Sequence, residues 1–157
     1  MSYGELVPGV DCDKLLRAIA TVETNGGRNN WPRLEVSYIP AGLAFTVQGH
    51  TLIGTGKNCN SITAPRWAKW GLGTAASWSW WQILYHTAAD LGFEGPPNDL
   101  MDPGRCEPFV VGRLRKIAMS GAATVRDFAD AWNSGSWRDA NLVPEYTAAV
   151  EAAYLKG

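Results

Sequence analysis

LLRAIATVETNGG, residues 15–27, reads as a short amphipathic helix whose apolar side runs into a single carboxylate. Leu16, Ile19 and Ala20 precede Glu23 by seven, four and three residues. On a helix of about 3.6 residues per turn they share its side. Asn25, Gly26 and Gly27 follow at once, and these residues tolerate the left-handed conformation that closes a last turn. Glu23 is therefore expected at a helix end, on the border between core and cleft. Partial burial there disfavours the charged form and raises the pKa, which suits a general acid working near neutral pH. An ordinary surface glutamate at a fraying terminus fits the same pattern, and periodicity leaves both readings open.

Upstream, Asp11 is placed to cap this helix, and Leu15, Leu16, Ile19 and Val22 give it a wide apolar stripe. Downstream, residues 28–64 are rich in proline, glycine and asparagine. The short runs at Phe45, Val47, Leu52 and Ile53 predict a small β-hairpin turning near Gln48 and Gly49. A short helix is expected over 65–70. A long one is expected over 79–91, with Trp80, Ile83, Leu84, Thr87, Ala88 and Leu91 on its buried face. That places Trp78, Gln82 and Tyr85 together on an opposite, groove-lining face. Asp102–Pro103 opens the next helical region, Pro108 marks a second start, and Val110, Leu114, Ile117 and Ala118 point inward. Thr124, with Asp127 in the capping-box position, starts another helix that Asn133, Ser134 and Gly135 close. Pro144 starts the last. The expectation is a single α+β domain over residues 1–157, mainly helical, with one irregular, hairpin-bearing insertion over about 28–76.

The chain has 157 residues, a net charge of −1 and a sequence pI near 6.1. It has no basic run, so nothing in it suggests nucleic acid as a partner. Its longest apolar stretches are too short for a membrane helix. The amino-terminal residues MSYGELVPGVDCDK lack the charged start and apolar run of a secretory signal, so a cytoplasmic product is expected. Cys12, Cys59 and Cys106 are widely spaced, which predicts reduced thiols, with one disulfide still open. His50 and His86 are the only histidines. They leave few bases for a serine or cysteine triad and no close ligand spacing for zinc, and His86 is expected on a helix surface. Eight tryptophans are more than a core of this size needs, and surplus indoles stack on sugars or anchor interfaces.

Carboxylate chemistry remains. Glu35 follows Glu23 by twelve residues, in WPRLEVSYIP, residues 31–40. Two carboxyl groups facing each other across a sugar can run glycoside hydrolysis, one as acid and the other as base or nucleophile. A surface Glu35 paired with Arg33 or Arg28 is the alternative.

Several motifs occur in a telling order. Glu23–Thr24 lies at a helix end, and SWSWWQI (77–83), LGF (91–93), DLMDP (99–103), WNSG (132–135) and Pro144 with Tyr146 follow. In this the chain resembles the lysozyme-like superfamily, closest to the lytic transglycosylase and goose-type lysozyme group with its phage muramidases. The resemblance covers about residues 12–27 and 76–155. It implies a lysozyme-like fold, Glu23 as catalytic acid, Gln82 and Asn133 along the saccharide cleft, and Tyr146 close to the catalytic glutamate. It also implies peptidoglycan glycan strands as substrate, cut between N-acetylmuramic acid and N-acetylglucosamine; no metal or cofactor is implied, and a monomer is expected. With the Trp78, Gln82 and Tyr85 face added, the expected sugar-binding set is Trp78, Gln82, Tyr85, Asn133 and Tyr146. The product would be a phage endolysin or virion lysin, acting on the bacterial wall.

The chain departs from the family pattern at Thr24 for serine, Ser79 for glycine, Trp132 for tyrosine and Ser134 for alanine, and its insertion is longer. Arg33-Leu34-Glu35 is similar to an Arg-x-Glu element of phage muramidases, which favours hydrolysis with Glu35 positioning water. Without Glu35 in the cleft, attack by the muramyl 6-hydroxyl would give an anhydro product. A non-catalytic glycan-binding or structural module on the same fold, and chitinase-like action, are the rival readings.

Overall fold

The computed structural model describes residues 2–47, 49–138 and 143–157. Two short antiparallel strands, β1 (Glu5–Val7) and β2 (Val10–Asp11), lead straight into α1 (Cys12–Thr24). Asp11 caps it, its carboxylate accepting from the Lys14 N–H at 2.8 Å. Leu15, Leu16 and Ile19 are buried as the spacing predicts. The helix closes at Asn25, which takes the left-handed conformation (φ 52°) and donates to the Thr21 carbonyl, while the Gly26 N–H reaches the Ala20 carbonyl.

The irregular segment then supplies β3 (Arg33–Leu34), a 3-10 turn at Val36–Tyr38, and the hairpin β4 (Ala44–Val47) and β5 (His50–Ile53). The hairpin pairs Ala44 with Ile53 and Val47 with His50. Gln48, expected at its turn, lies outside the described residues, and Gly49 has φ 80°. α2 (Thr63–Trp70) and a 3-10 turn at Gly71–Ala75 complete the segment.

The long helix expected over 79–91 does not form. Its place is taken by β6 (Ala76–Trp78), a tight turn, β7 (Ile83–Leu84) and a short α3 (Tyr85–Ala89). β6 is the centre of a three-stranded antiparallel sheet ordered β3-β6-β7, pairing Arg33 with Ser77 and Trp78 with Ile83. The turn has Ser79 at φ 69° and Gln82 at φ 50°, values a right-handed helix cannot accommodate. Its Trp80 carbonyl accepts from the Thr24 hydroxyl at 2.8 Å, a tertiary bond that overrides local helical spacing. In consequence Trp80 is turned outward, 37% exposed, whereas Trp78 and Tyr85 go into the core.

A 3-10 turn at Pro97–Met101 precedes α4 (Pro103–Met119), which Asp102 caps at Gly104. Pro108 lies inside this continuous helix and is not a second start. α5 (Val125–Ser134) opens with the expected Thr124–Asp127 capping box and ends at Gly135, φ 88°. α6 (Pro144–Lys156) packs on both α1 and α5. The core joins Leu15 and Ile19 of α1, Val110 and Leu114 of α4, Phe128 of α5 and Val150 of α6. The fold is α+β with about 52% helix and small sheets, in agreement with the expected class. Among the described residues no helix is long and apolar enough to cross a membrane.

Candidate active site

The helical body and the three-stranded sheet enclose a cavity of about 380 Å³, within the range of small-ligand sites. Glu23, on the last turn of α1, forms its inner wall, with only 6% of its side chain exposed. Tyr146 of α6 donates its hydroxyl to Glu23 Oε1 at 2.9 Å, and Arg33 of β3 donates Nη2 to Oε2 at 2.7 Å. Burial raises the Glu23 pKa above its ordinary value. The hydrogen bond from Tyr146 and the charge and hydrogen bond of Arg33 pull the other way without cancelling it. Burial and the adjacent carboxylate push the Tyr146 phenol upward, so Tyr146 stays a donor throughout the pH range of the cell.

Two side-chain bonds set this geometry. The buried Thr24 hydroxyl ties the end of α1 to the Ser79–Gln82 turn and accepts from the Gly27 N–H at 3.0 Å. The Thr147 hydroxyl donates to buried Asp130 and fastens α6 to α5, beside Tyr146. The turn points Gln82 into the cavity wall. Its Oε1 accepts from Arg33 Nε at 3.0 Å, and its Nε2 donates to the carbonyls of Ser79 and Trp31. Ser79 and Gln82 are the backbone outliers that make this possible, each left-handed without being glycine, at a cost of order 1–3 kcal/mol.

Glu35 lines the same cavity. Its Oε1 accepts from the Ser77 hydroxyl at 3.2 Å and its backbone N–H donates to the Ala75 carbonyl at 2.7 Å. Among the described residues it has no ion pair: Arg33, the partner offered by the surface reading, pairs with Glu23 instead. Asn133, at the end of α5, also lines the cavity, beside the buried Trp132.

Trp78 and Tyr85, expected to hold sugar rings, do not reach the cavity. Trp78 is buried with its indole N–H on the Gly73 carbonyl at 2.9 Å. Tyr85 is buried edge-on against Phe93, with its hydroxyl on the Gly95 carbonyl. Both expectations assumed helical spacing through 79–85, and the strand-turn-strand path points these side chains into the core. His86 is likewise no surface residue. It is buried and stacked on Tyr38 at 4.8 Å, and burial lowers its pKa to about 4, keeping it neutral. Cys12, Cys59 and Cys106 are free thiols. Burial pushes Cys12 up to about 11 and Cys106 up to about 12, so both pack as neutral side chains. Among the described residues no His, Cys, Asp or Glu cluster could hold a metal ion.

Arg113 and Ser77 line the cavity without having been singled out from sequence. Arg113 caps the carbonyls of Ala131 and Trp132, both at 3.1 Å, donates to Thr87, and lies over the Trp132 ring at 5.0 Å. Its signal was its spacing, three residues after Val110 and directly before Leu114, which puts it nearer the inner side of α4 than Arg115 or Lys116. Ser77 carried none. No family model matches the chain, and no curated protein or solved structure matches it either.

Proposed function

We propose that the chain is a peptidoglycan muramidase with a lysozyme-like fold, hydrolysing the β-1,4 bond between N-acetylmuramic acid and N-acetylglucosamine. The observation that carries this reading is Glu23. It is a carboxyl group with a raised pKa, buried at the end of a core helix, gripped by a tyrosine hydroxyl, and sharing its cavity with a second carboxylate, Glu35.

In this mechanism Glu23 gives its proton to the leaving glycosidic oxygen as the C1–O bond breaks and positive charge grows on the sugar. Glu35 takes a proton from the attacking water. Tyr146 holds Glu23 Oε1, which fixes the carboxyl plane and assigns the proton to Oε2, the oxygen that Arg33 also contacts. Gln82 and Asn133 offer hydrogen bonds to the sugar hydroxyl and acetamido groups. The cavity's second carboxylate favours hydrolysis over attack by the muramyl 6-hydroxyl, a route that needs only Glu23. The motif order that the chain shares with phage muramidases supports a phage lysin, reaching the wall after release or aboard a virion.

The test is clearing of purified cell walls by the protein and by Glu23→Gln, which keeps shape and loses the proton donor. The wild type is expected to clear, with a loss of about 10²–10⁴-fold in the variant and binding retained. Equal clearing by both would remove Glu23 from the mechanism. Wall binding without clearing by the wild type would make the chain a glycan-binding module.

A further inference from the structure

Both oxygens of Glu23 are occupied: Oε1 by the Tyr146 hydroxyl and Oε2 by Arg33 Nη2. A carboxyl proton must sit on one of them, and although each oxygen keeps a second lone pair, a donated hydrogen bond and, at Oε2, the adjacent positive charge favour the ionised form. Tyr146 comes from a core-packed helix and is half-buried. Arg33 differs in every respect. It lies in a two-residue strand, its side chain is 58% exposed, and its guanidinium spans from Glu23 to Gln82 across the cavity wall. Arg33 is thus the donor that can leave without unfolding anything.

We propose that Arg33 is a releasable latch: it holds the Glu23 carboxylate ionised before substrate binds and is drawn off by the bound glycan, so that Glu23 takes its proton only with substrate in place. The idea rests on the assignment of Glu23 as acid and adds how that acid is armed. Substrate is the natural competitor, because sugar hydroxyl and acetamido groups entering the cavity satisfy Gln82 Oε1, the guanidinium's second anchor. Glu35 gives the freed cation a destination. It lies two residues on in extended backbone, on the same side of the strand, and lines the same cavity. There the guanidinium exchanges one carboxylate for another within the same cavity. The other groups around Glu23 stay in place: Tyr146 on α6, the Trp132 indole on α5, held by the Trp81 carbonyl, and Arg113, tied by three hydrogen bonds on α4. Binding and proton uptake are then linked, each promoting the other.

The test is carbon-13 NMR titration of the Glu23 carboxyl in the full chain, for the wild type and for Arg33→Met, which keeps an apolar stem and removes the charge. Each is titrated alone and with chitotetraose. The wild-type midpoint is expected to rise when the saccharide is added. In Arg33→Met it is expected to be already higher without saccharide and to move little on addition, while Arg33→Lys restores part of the wild-type behaviour. The high-pH limb of wall clearing should move to higher pH in Arg33→Met in step with its midpoint. An unchanged midpoint in Arg33→Met overturns the latch, whatever the lytic activity. Shifted midpoints in a protein that clears no walls would sustain the control of Glu23 and remove the muramidase reading instead.

Discussion

At the scale of single residues, the placement of Glu23, the proposed acid, has a cost in stability. Its folded pKa lies above the ordinary 4.5 because burial outweighs the help of Tyr146 and Arg33. In the window from about 4.5 upward to that raised value the folded state binds more protons than the unfolded chain. Stability therefore falls as pH rises through the window. Glu23→Gln removes the buried charge and keeps the shape. Its thermal midpoint relative to the wild type is thus expected to climb as pH rises from 4 to 7, and to level off above the Glu23 pKa. Paired thermal melts across that range check it, and a difference independent of pH would show that Glu23 pays no burial cost. This sign is what a functional carboxylate predicts. A glutamate retained for stability would be held below its ordinary pKa and show the opposite slope.

At the scale of elements, what could be read from sequence was what local chemistry decides. Asp11, Thr124 and Asp127 cap helices through bonds to backbone a few residues away, and Asn25 ends α1 through its own left-handed tolerance. The 79–91 segment reads as a helix because its apolar residues at 80, 83, 84, 87, 88 and 91 satisfy a helical period. The turn that breaks the helix is made by Ser79 and Gln82, which announce no turn as glycine or proline would. That turn is held from outside, by Thr24 and by Gly27. Gly27 has φ 88°, and a Cβ there would lie 2.5 Å from the Trp80 indole nitrogen. Gly26, at φ 66°, faces open space. Gly26→Ala therefore meets only the backbone penalty of about 1–2 kcal/mol. Gly27→Ala must also displace Trp80, and is expected to melt lower than Gly26→Ala and to weaken wall clearing through the shifted Gln82 turn. Equal melting points and equal clearing for the two variants would contradict the coupling of this turn to the cavity.

At the scale of the molecule, the candidate site is an assembly of distant parts of the chain. Glu23 and Tyr146 are 123 residues apart in sequence and 2.9 Å apart in space, brought together because α6 packs along α1 and is fastened to α5 through Thr147 and Asp130. Arg33, Glu35, Ser77 and Gln82 arrive on the opposite wall by way of a three-stranded sheet whose strands are two or three residues long. Sequence pattern could mark Glu23 and Glu35 as carboxylates of interest. It could not show that Arg33 would choose Glu23 over Glu35, since that depends on where β3 crosses the end of α1. The central claim is that this assembly cuts glycan strands with Glu23 as acid. Its most direct test is mass spectrometry of the fragments released from purified peptidoglycan by the wild type and by Glu23→Gln. The expected result is fragments ending in reducing N-acetylmuramic acid from the wild type, released about 10²–10⁴-fold more slowly by the variant. Intact strands with the wild type, or the same fragments at the same rate from both proteins, would contradict it.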